Sequence, residues 1–262
     1  MQHPAFERVR VASRGGPVVV AHRGDSKHCP ENTLAAFRAA RAAGVLMQEF
    51  DVQATRDGTL VCLHDDSLDR TTDAPQRLGP GALVAQCDLA AVRQLDAGRW
   101  HGAAHAGERV PTLAEALAVL VPDGLAMIEH KSGAAASYVA AIDAANAAAH
   151  CILQSFDWSF VAEAHALAPR LALAVLGPHA RARRLDDNAI AAARSAGAGM
   201  LHWHARAVGR HDVDRVHAAG MLLCTYTSDD EVAWAGHRAI GIDAFCTNDP
   251  VGALAAARAL GT

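Results

Sequence analysis

The chain has 262 residues, 51% hydrophobic and 20% charged, with 60 alanines that favour many packed helices. That composition excludes a disordered chain and a coiled coil. A formal net charge of -4 gives no basic footprint for nucleic acid, and 6 Phe, 4 Trp and 2 Tyr are few for base stacking.

Residues 1–16 contain no apolar signal-like core, and no run approaches the length of a membrane span. A cytoplasmic protein without membrane insertion is the expectation. Six cysteines at 29, 62, 87, 151, 224 and 246 show no CxxC spacing. They are therefore read as reduced, buried small hydrophobes rather than as a zinc ribbon or redox motif.

In chain order, Val18 to Ala21 is a short β-branched strand closed by His22-Arg23-Gly24, and a helical pattern follows over 31–43. Leu46 to Val52 is the second strand. A short strand, Thr59 to Leu63, follows the turn at Asp57-Gly58. Residues 67–110 break the rhythm and read as an insertion. Thr112 with Glu115 forms a capping box that opens the next helix. Strands over 125–130, 151–155, 171–176, 199–203, 221–225 and 242–246 then alternate with helices over 135–148, 158–168, 187–197, 210–219, 229–237 and 250–260. Asp249-Pro250 supplies the N-cap and first turn of the last helix.

Eight strand–helix units in this length predict a (β/α)8 barrel: one domain over 1–262, with 67–110 inserted after the second strand. A doubly wound sheet is the rival. It is disfavoured because the first strand ends in His-Arg-Gly rather than a GxGxxG turn.

In such a barrel the chemistry sits at the C-terminal strand ends. The first strand ends in His22-Arg23, and the short strand ends in His64-Asp65. Glu49 and Asp51 share one face by strand alternation, as do Glu129 and Lys131. If Leu46, Phe50 and Val52 pack outward, the two carboxylates face the barrel axis. Buried there, they repel unless a divalent ion neutralises them. Three carboxylates (Glu49, Asp51, Glu129) are an all-oxygen set suited to Ca2+ or Mg2+. Arg23 and Lys131 add an anion clamp fit for a phosphoryl group, and two histidines can exchange protons near neutrality. Lys27 and Lys131 are the only lysines. Lys27 reads as a solvated loop residue. His202-Trp203-His204 puts two imidazoles on one strand face, but with 15 histidines in the chain a metal role there is the minor reading.

These residues resemble the glycerophosphodiester phosphodiesterase family. His22-Arg23-Gly24 with Pro30-Glu31-Asn32-Thr33 and Ala35-Ala36-Phe37 is similar to its HRG…PENTLxAF opening, and Glu49-Phe50-Asp51-Val52 to its E-x-D-V strand. Thr55 to Thr59, His64-Asp65 and Leu68 to Thr72 resemble its TxDG…HD…LxRTT stretch, and Ile128 to Lys131 its I-E-x-K strand. Ser155-Phe156-Asp157, Gly241-Ile242-Asp243 and Thr247 to Pro250 fit its later motifs.

The resemblance implies a barrel enzyme that hydrolyses a glycerophosphodiester to sn-glycerol 3-phosphate and an alcohol. It implies Glu49, Asp51 and Glu129 as metal ligands, His22 and His64 as the acid–base pair, and Arg23 and Lys131 as phosphate contacts. Thr225-Tyr226-Thr227 departs from the family's Trp-Thr, which makes Tyr226 a candidate contact to the alcohol. A lysophospholipase D-like enzyme on the same barrel and a non-catalytic phosphodiester-binding protein are the alternatives. The partner expected is a small molecule; the headgroup and the oligomeric state are not readable from the sequence.

Overall fold

The strands form where β-branched and small apolar residues alternate under helices, and they close into a ring. In the computed structural model, which describes residues 3–121, 123–178 and 184–259, the strands are β1 (Val18–His22), β2 (Met47–Ala54), β3 (Leu60–Cys62), β4 (Leu125–His130), β5 (Cys151–Ser155), β6 (Ala172–Gly177), β7 (Met200–His204), β8 (Leu222–Tyr226) and β9 (Ala244–Thr247). Eight of them pair in parallel in the order β1-β9-β8-β7-β6-β5-β4-β2, and the β1–β2 pairing closes the barrel. The ninth, β3, runs antiparallel along the outer part of β2.

The helices are α1 (Pro4–Ala12), α2 (Leu34–Ala42), α3 (Ala74–Arg77), α4 (Leu89–Val92), α5 (Leu113–Leu120), α6 (Ala135–Ala144), α7 (Trp158–Leu167), α8 (Asp187–Ser195), α9 (Arg210–Ala218), α10 (Glu231–Ile240) and α11 (Pro250–Ala259). The expected capping box at Thr112 and Glu115 is present. Asp249 Oδ1 accepts from the Gly252 amide at 2.9 Å, as an N-cap should. Residue 260, the last of the final expected helix, lies outside the described residues.

Strand alternation sorts side chains into two cores. Phe50, Val52, Ile128, Leu153, Leu173, Leu201 and Leu223 face outward and pack under the helices. Val18, Val20, Met47, Leu125, Met127, Ile152, Ala172, Met200 and Leu222 face inward and fill the lower barrel. Leu46 departs from expectation: it packs with this lower cluster rather than under the helices.

No helix was expected over residues 1–16, but α1 forms there on the buried set Ala5, Phe6 and Val9. His3 caps it and Pro4 starts it. Its buried face, Ala5, Phe6 and Val9, plugs the bottom of the barrel. Helix α2 starts three residues later than expected. Pro30, Glu31 and Asn32 form a loop instead, with Asn32 at φ 57°. Within residues 67–110, α3 and α4 sit over a small core of Leu68, Ala74, Val84, Val92 and Leu95, which is continuous with Val61 of β3. Among the described residues no helix is long and apolar enough to cross a membrane.

Candidate active site

The inward face of each strand changes character toward the C-terminal end. On β2 the inward series is Met47, Glu49, Asp51; on β4 it is Leu125, Met127, Glu129, with Lys131 just beyond. Parallel pairing sets His22 level with Glu49 and Asp51 level with Glu129. Glu49, Asp51 and Glu129 are 1%, 1% and 7% exposed, and one oxygen from each lies within 4.8 Å of the other two.

Three carboxylates packed this tightly cannot all ionise without positive charge. Burial, with Asp51 and Glu129 beside it, pushes Glu49 well above the ordinary carboxylate range. Burial and Asp51 also raise Glu129. Burial alone would raise Asp51 as well, but Arg23, Lys131, His64 and the Asn32 amide outweigh it and hold Asp51 below its usual value. Arg23 Nε stands 3.1 Å and Lys131 Nζ 3.2 Å from the two Asp51 oxygens. Lys131 also pairs with Glu129. Glu49 Oε2 makes no hydrogen bond at all. A buried carboxylate oxygen without a donor, at the centre of three carboxylates, fits a hard divalent cation.

The loop after β1 is built to hold Arg23 over this cluster. Arg23 itself lies at φ 60°, and Gly24 follows at φ 81° with a Cβ position only 2.7 Å from the Ala36 backbone. Any side chain at 24 would push the loop off α2. Asn32 donates from Nδ2 to Asp51 at 2.9 Å and accepts the Asp51 amide at 3.2 Å. Glu31 accepts from Arg23 at 2.8 Å and from both terminal nitrogens of Arg70.

The two histidines are oriented by different partners. His22 Nδ1 lies 2.7 Å from Asn248 Oδ1. Asn248 Nδ2 donates to Asp229 at 2.7 Å, which fixes its amide with the oxygen toward His22. A carboxylate only accepts, so Asn248 can only accept from His22, and the proton of neutral His22 sits on Nδ1. Nε2 then carries the free lone pair, 3.9 Å from Glu49 Oε2. Burial, helped by the Arg23 charge, holds His22 down to about 4, so it is neutral at physiological pH.

His64 follows β3 and donates from Nδ1 to Asp65 at 2.6 Å. Arg70 binds Asp65 and, with His64, holds it far below the usual carboxylate range. The Asp65 carboxylate thereby orients the His64 ring, which lies near Asp51.

The structure thus gathers His22, Arg23, Glu49, Asp51, Glu129 and Lys131 in one place, with His64 on the adjoining loop. Tyr226, at the end of β8 across the mouth from β4, donates its hydroxyl to the Gly177 carbonyl at 2.8 Å. Its ring meets Phe156, His202 and His204 edge-on, so the face it offers to the mouth is aromatic. Lys27 is an exposed loop residue, as expected, and it also pairs with Asp249 at 2.5 Å, tying the 25–30 loop to the start of α11. His202 and His204 do not act as a pair. His202 is buried beside Cys224 and Cys246, while His204 is exposed.

Asn32, Glu31, Asn248 and Asp229 were not singled out from the sequence as site residues. Asn32 and Asn248 lay inside motifs already noted. Asp229 gave no local signal, since its role depends on a contact across 19 residues.

The chain matches the Glycerophosphoryl diester phosphodiesterase family over residues 22–251. It is 40% identical over 166 residues to the glycerophosphodiester phosphodiesterase of Caldanaerobacter subterraneus subsp. tengcongensis, covering 61% of this chain and 66% of that protein. It is 29% identical over 256 residues to a Bacillus subtilis enzyme of the same name, covering 89% and 84% of the two chains. Among solved structures it is similar to an Oleispira antarctica phosphodiesterase in complex with the product sn-glycerol-3-phosphate. The TM-score is 0.82 at 29% identity, with 92% and 96% of the two chains covered.

Proposed function

The chain belongs to the glycerophosphoryl diester phosphodiesterase family, and on that premise we propose that it hydrolyses glycerophosphodiesters to sn-glycerol 3-phosphate and an alcohol, with His22 as base and His64 as acid. The observation that carries the division of roles is the Asp229–Asn248–His22 relay, which leaves a neutral imidazole with its lone pair on Nε2 beside the carboxylates. His64 has the opposite setting. Its Nδ1–H is held by the Asp65 carboxylate, which orients the ring so that Nε2 is the atom that exchanges a proton with the departing oxygen.

Glu49, Asp51 and Glu129 would hold a divalent ion, Ca2+ or Mg2+. When bound, such an ion polarises the phosphoryl oxygens and stabilises the charge that develops on them. Arg23 and Lys131 face the same cluster and are the chain's own cations for a phosphate oxygen.

We propose a route in two steps. His22 Nε2 takes the proton from the glycerol hydroxyl next to the phosphoester. That oxygen bonds to phosphorus, the bond to the alcohol breaks, and His64 protonates the departing oxygen. The resulting cyclic phosphate is opened by water. His64 takes the water proton and His22 returns its proton to the glycerol oxygen, so both imidazoles end as they began. The ring of Tyr226, with Phe156, forms the wall offered to the alcohol. Six free cysteines suit a reducing compartment, which supports a cytoplasmic location.

The test is a comparison of glycerophosphodiester substrates with analogues lacking that hydroxyl, using wild type and the His64→Ala variant, with binding measured by calorimetry. Slow turnover of the analogue, and lost turnover with retained binding in the variant, support the proposal. Equal rates for the two substrates remove the cyclic route. Binding without turnover in wild type points to a phosphodiester-binding protein instead.

A further inference from the structure

The barrel interior holds a second group of potential ligands, on β7, β8 and β9 rather than on β2 and β4. His202 is 2% exposed, and Cys224 and Cys246 are fully buried. His202 and Cys224 are direct register partners on neighbouring strands. One ring nitrogen of His202 and the two Sγ atoms lie within 4.8 Å of one another.

The imidazole is presented as a ligand. Gln154 Oε1 lies 2.8 Å from Nδ1. With the Gln154 oxygen turned to the ring, the proton sits on Nδ1 and the lone pair on Nε2. Nε2 is buried without a nitrogen or oxygen partner and faces the Cys246 thiol. A histidine held through one nitrogen by an oxygen while its other nitrogen faces soft donors is the arrangement found behind metal-bound imidazoles.

We propose that His202, Cys224 and Cys246 form a buried binding site for Zn2+, separate from the carboxylate cluster. Nitrogen with two sulfurs is a soft donor set that the hard ions suited to Glu49, Asp51 and Glu129 do not favour. On binding, Nε2 gives its lone pair to the ion, and each thiol gives up one proton to solvent as its sulfur bonds to the ion. No electrons are transferred. The divalent charge and the two thiolates cancel, which leaves a neutral centre in an apolar barrel. Zn–S and Zn–N bonds of about 2.3 and 2.0 Å place the ligand atoms roughly 3.4–4 Å apart. The three side chains need only close in by about 1 Å. Cys246 acts electrostatically on Glu49 and His202 on Glu129, so the two groups are neighbours, but the inference does not rest on the reaction at the carboxylates.

The experiment uses the full chain, metal-stripped and reduced, dialysed against Zn2+ with millimolar Mg2+ present, and reads metal per chain by elemental analysis. Wild type and the Glu49→Gln, Glu129→Gln double variant are expected to retain about one Zn2+. The Cys224→Ala, Cys246→Ala double variant is expected to retain at least tenfold less. Gln154→Leu should weaken Zn2+ binding about 10–100-fold by freeing the ring. Co2+ in place of Zn2+ gives wild type a sulfur-to-cobalt charge-transfer band. Should the double cysteine variant fail to fold by circular dichroism, that band decides the question on wild type alone. No retained Zn2+, no charge-transfer band, or Zn2+ lost with the glutamates and kept without the cysteines overturns the site.

Discussion

The lower and upper halves of the barrel use the same strands for opposite ends. Met47 and Glu49, like Met127 and Glu129, are two positions apart, yet the first of each pair joins an apolar plug and the second a crowd of charge. The lower half, closed by Phe6 and Val9 of α1, gains stability by removing apolar area from water. The upper half buries three carboxylates, leaves Glu49 Oε2 without a donor and spends Arg23 and Lys131 on holding Asp51 ionised. The contrast teaches that the strand ends are arranged at some cost to the fold, so function and stability separate by height in the barrel.

The largest effect expected is on rate. His22→Ala or His64→Ala should lower turnover about 10²–10⁴-fold with little change in melting temperature, since neither side chain packs the core. Steady-state kinetics beside a thermal melt check this, and a melt that collapses with the rate would break the separation.

The converse substitution is Phe6→Ala in the lower half. It should cost about 3–5 kcal/mol of stability and leave kcat/KM of the folded enzyme unchanged. Urea unfolding and kinetics read the two effects, and a comparable fall in kcat/KM would merge the two halves.

A smaller effect follows from the raised Glu49. A carboxyl whose pKa is higher folded than unfolded contributes stability that is full below its unfolded value, about 4.3, and lost as pH rises through the folded one. In the chelator-stripped protein Glu49→Gln should therefore match wild type near pH 4 and become the more stable of the two as pH rises toward neutrality. Added Ca2+ or Mg2+ should stabilise wild type and not the variant. Melting curves across pH check both, and a variant less stable at every pH would contradict the cost assigned to the upper half.

The smallest effect sharpens the account of His22. Asn248→Ala frees the ring to exchange tautomers and should cost roughly tenfold in kcat with KM little changed. It should also move the acid limb of the pH profile, because His22 loses a hydrogen bond that favours its protonated form. A purely structural role for Asn248 would leave that limb in place.

Much of this division was legible in the sequence. Alternation put Glu49 with Asp51 and Glu129 with Lys131 on one face of their strands, inward on the condition, met by Phe50 and Val52 but not Leu46, that their neighbours pack outward, and the turn of rhythm at each strand end marked His22, Arg23 and Lys131. What escaped notice depended on distant contacts. The plugging role of α1 rests on meeting strands far along the chain. Asn248 and Asp229 matter only because β9 returns beside β1. The cysteines were read by their spacing, which carries no signal. Cys224 and Cys246 meet His202 through three adjacent strands, a proximity that only the closed barrel creates. Lys27 is exposed as expected, but its ion pair was not foreseen because its partner, Asp249, is 222 residues away.

The measurement that tests the central claim most directly is glycerol 3-phosphate release from glycerophosphocholine by chelator-stripped enzyme, titrated with Ca2+ and with Mg2+. The account predicts negligible release from the stripped enzyme, restored by at least one of the two ions. It also predicts that Glu129→Gln abolishes the restoration. Undiminished release without a divalent ion, or none with either ion, would contradict it.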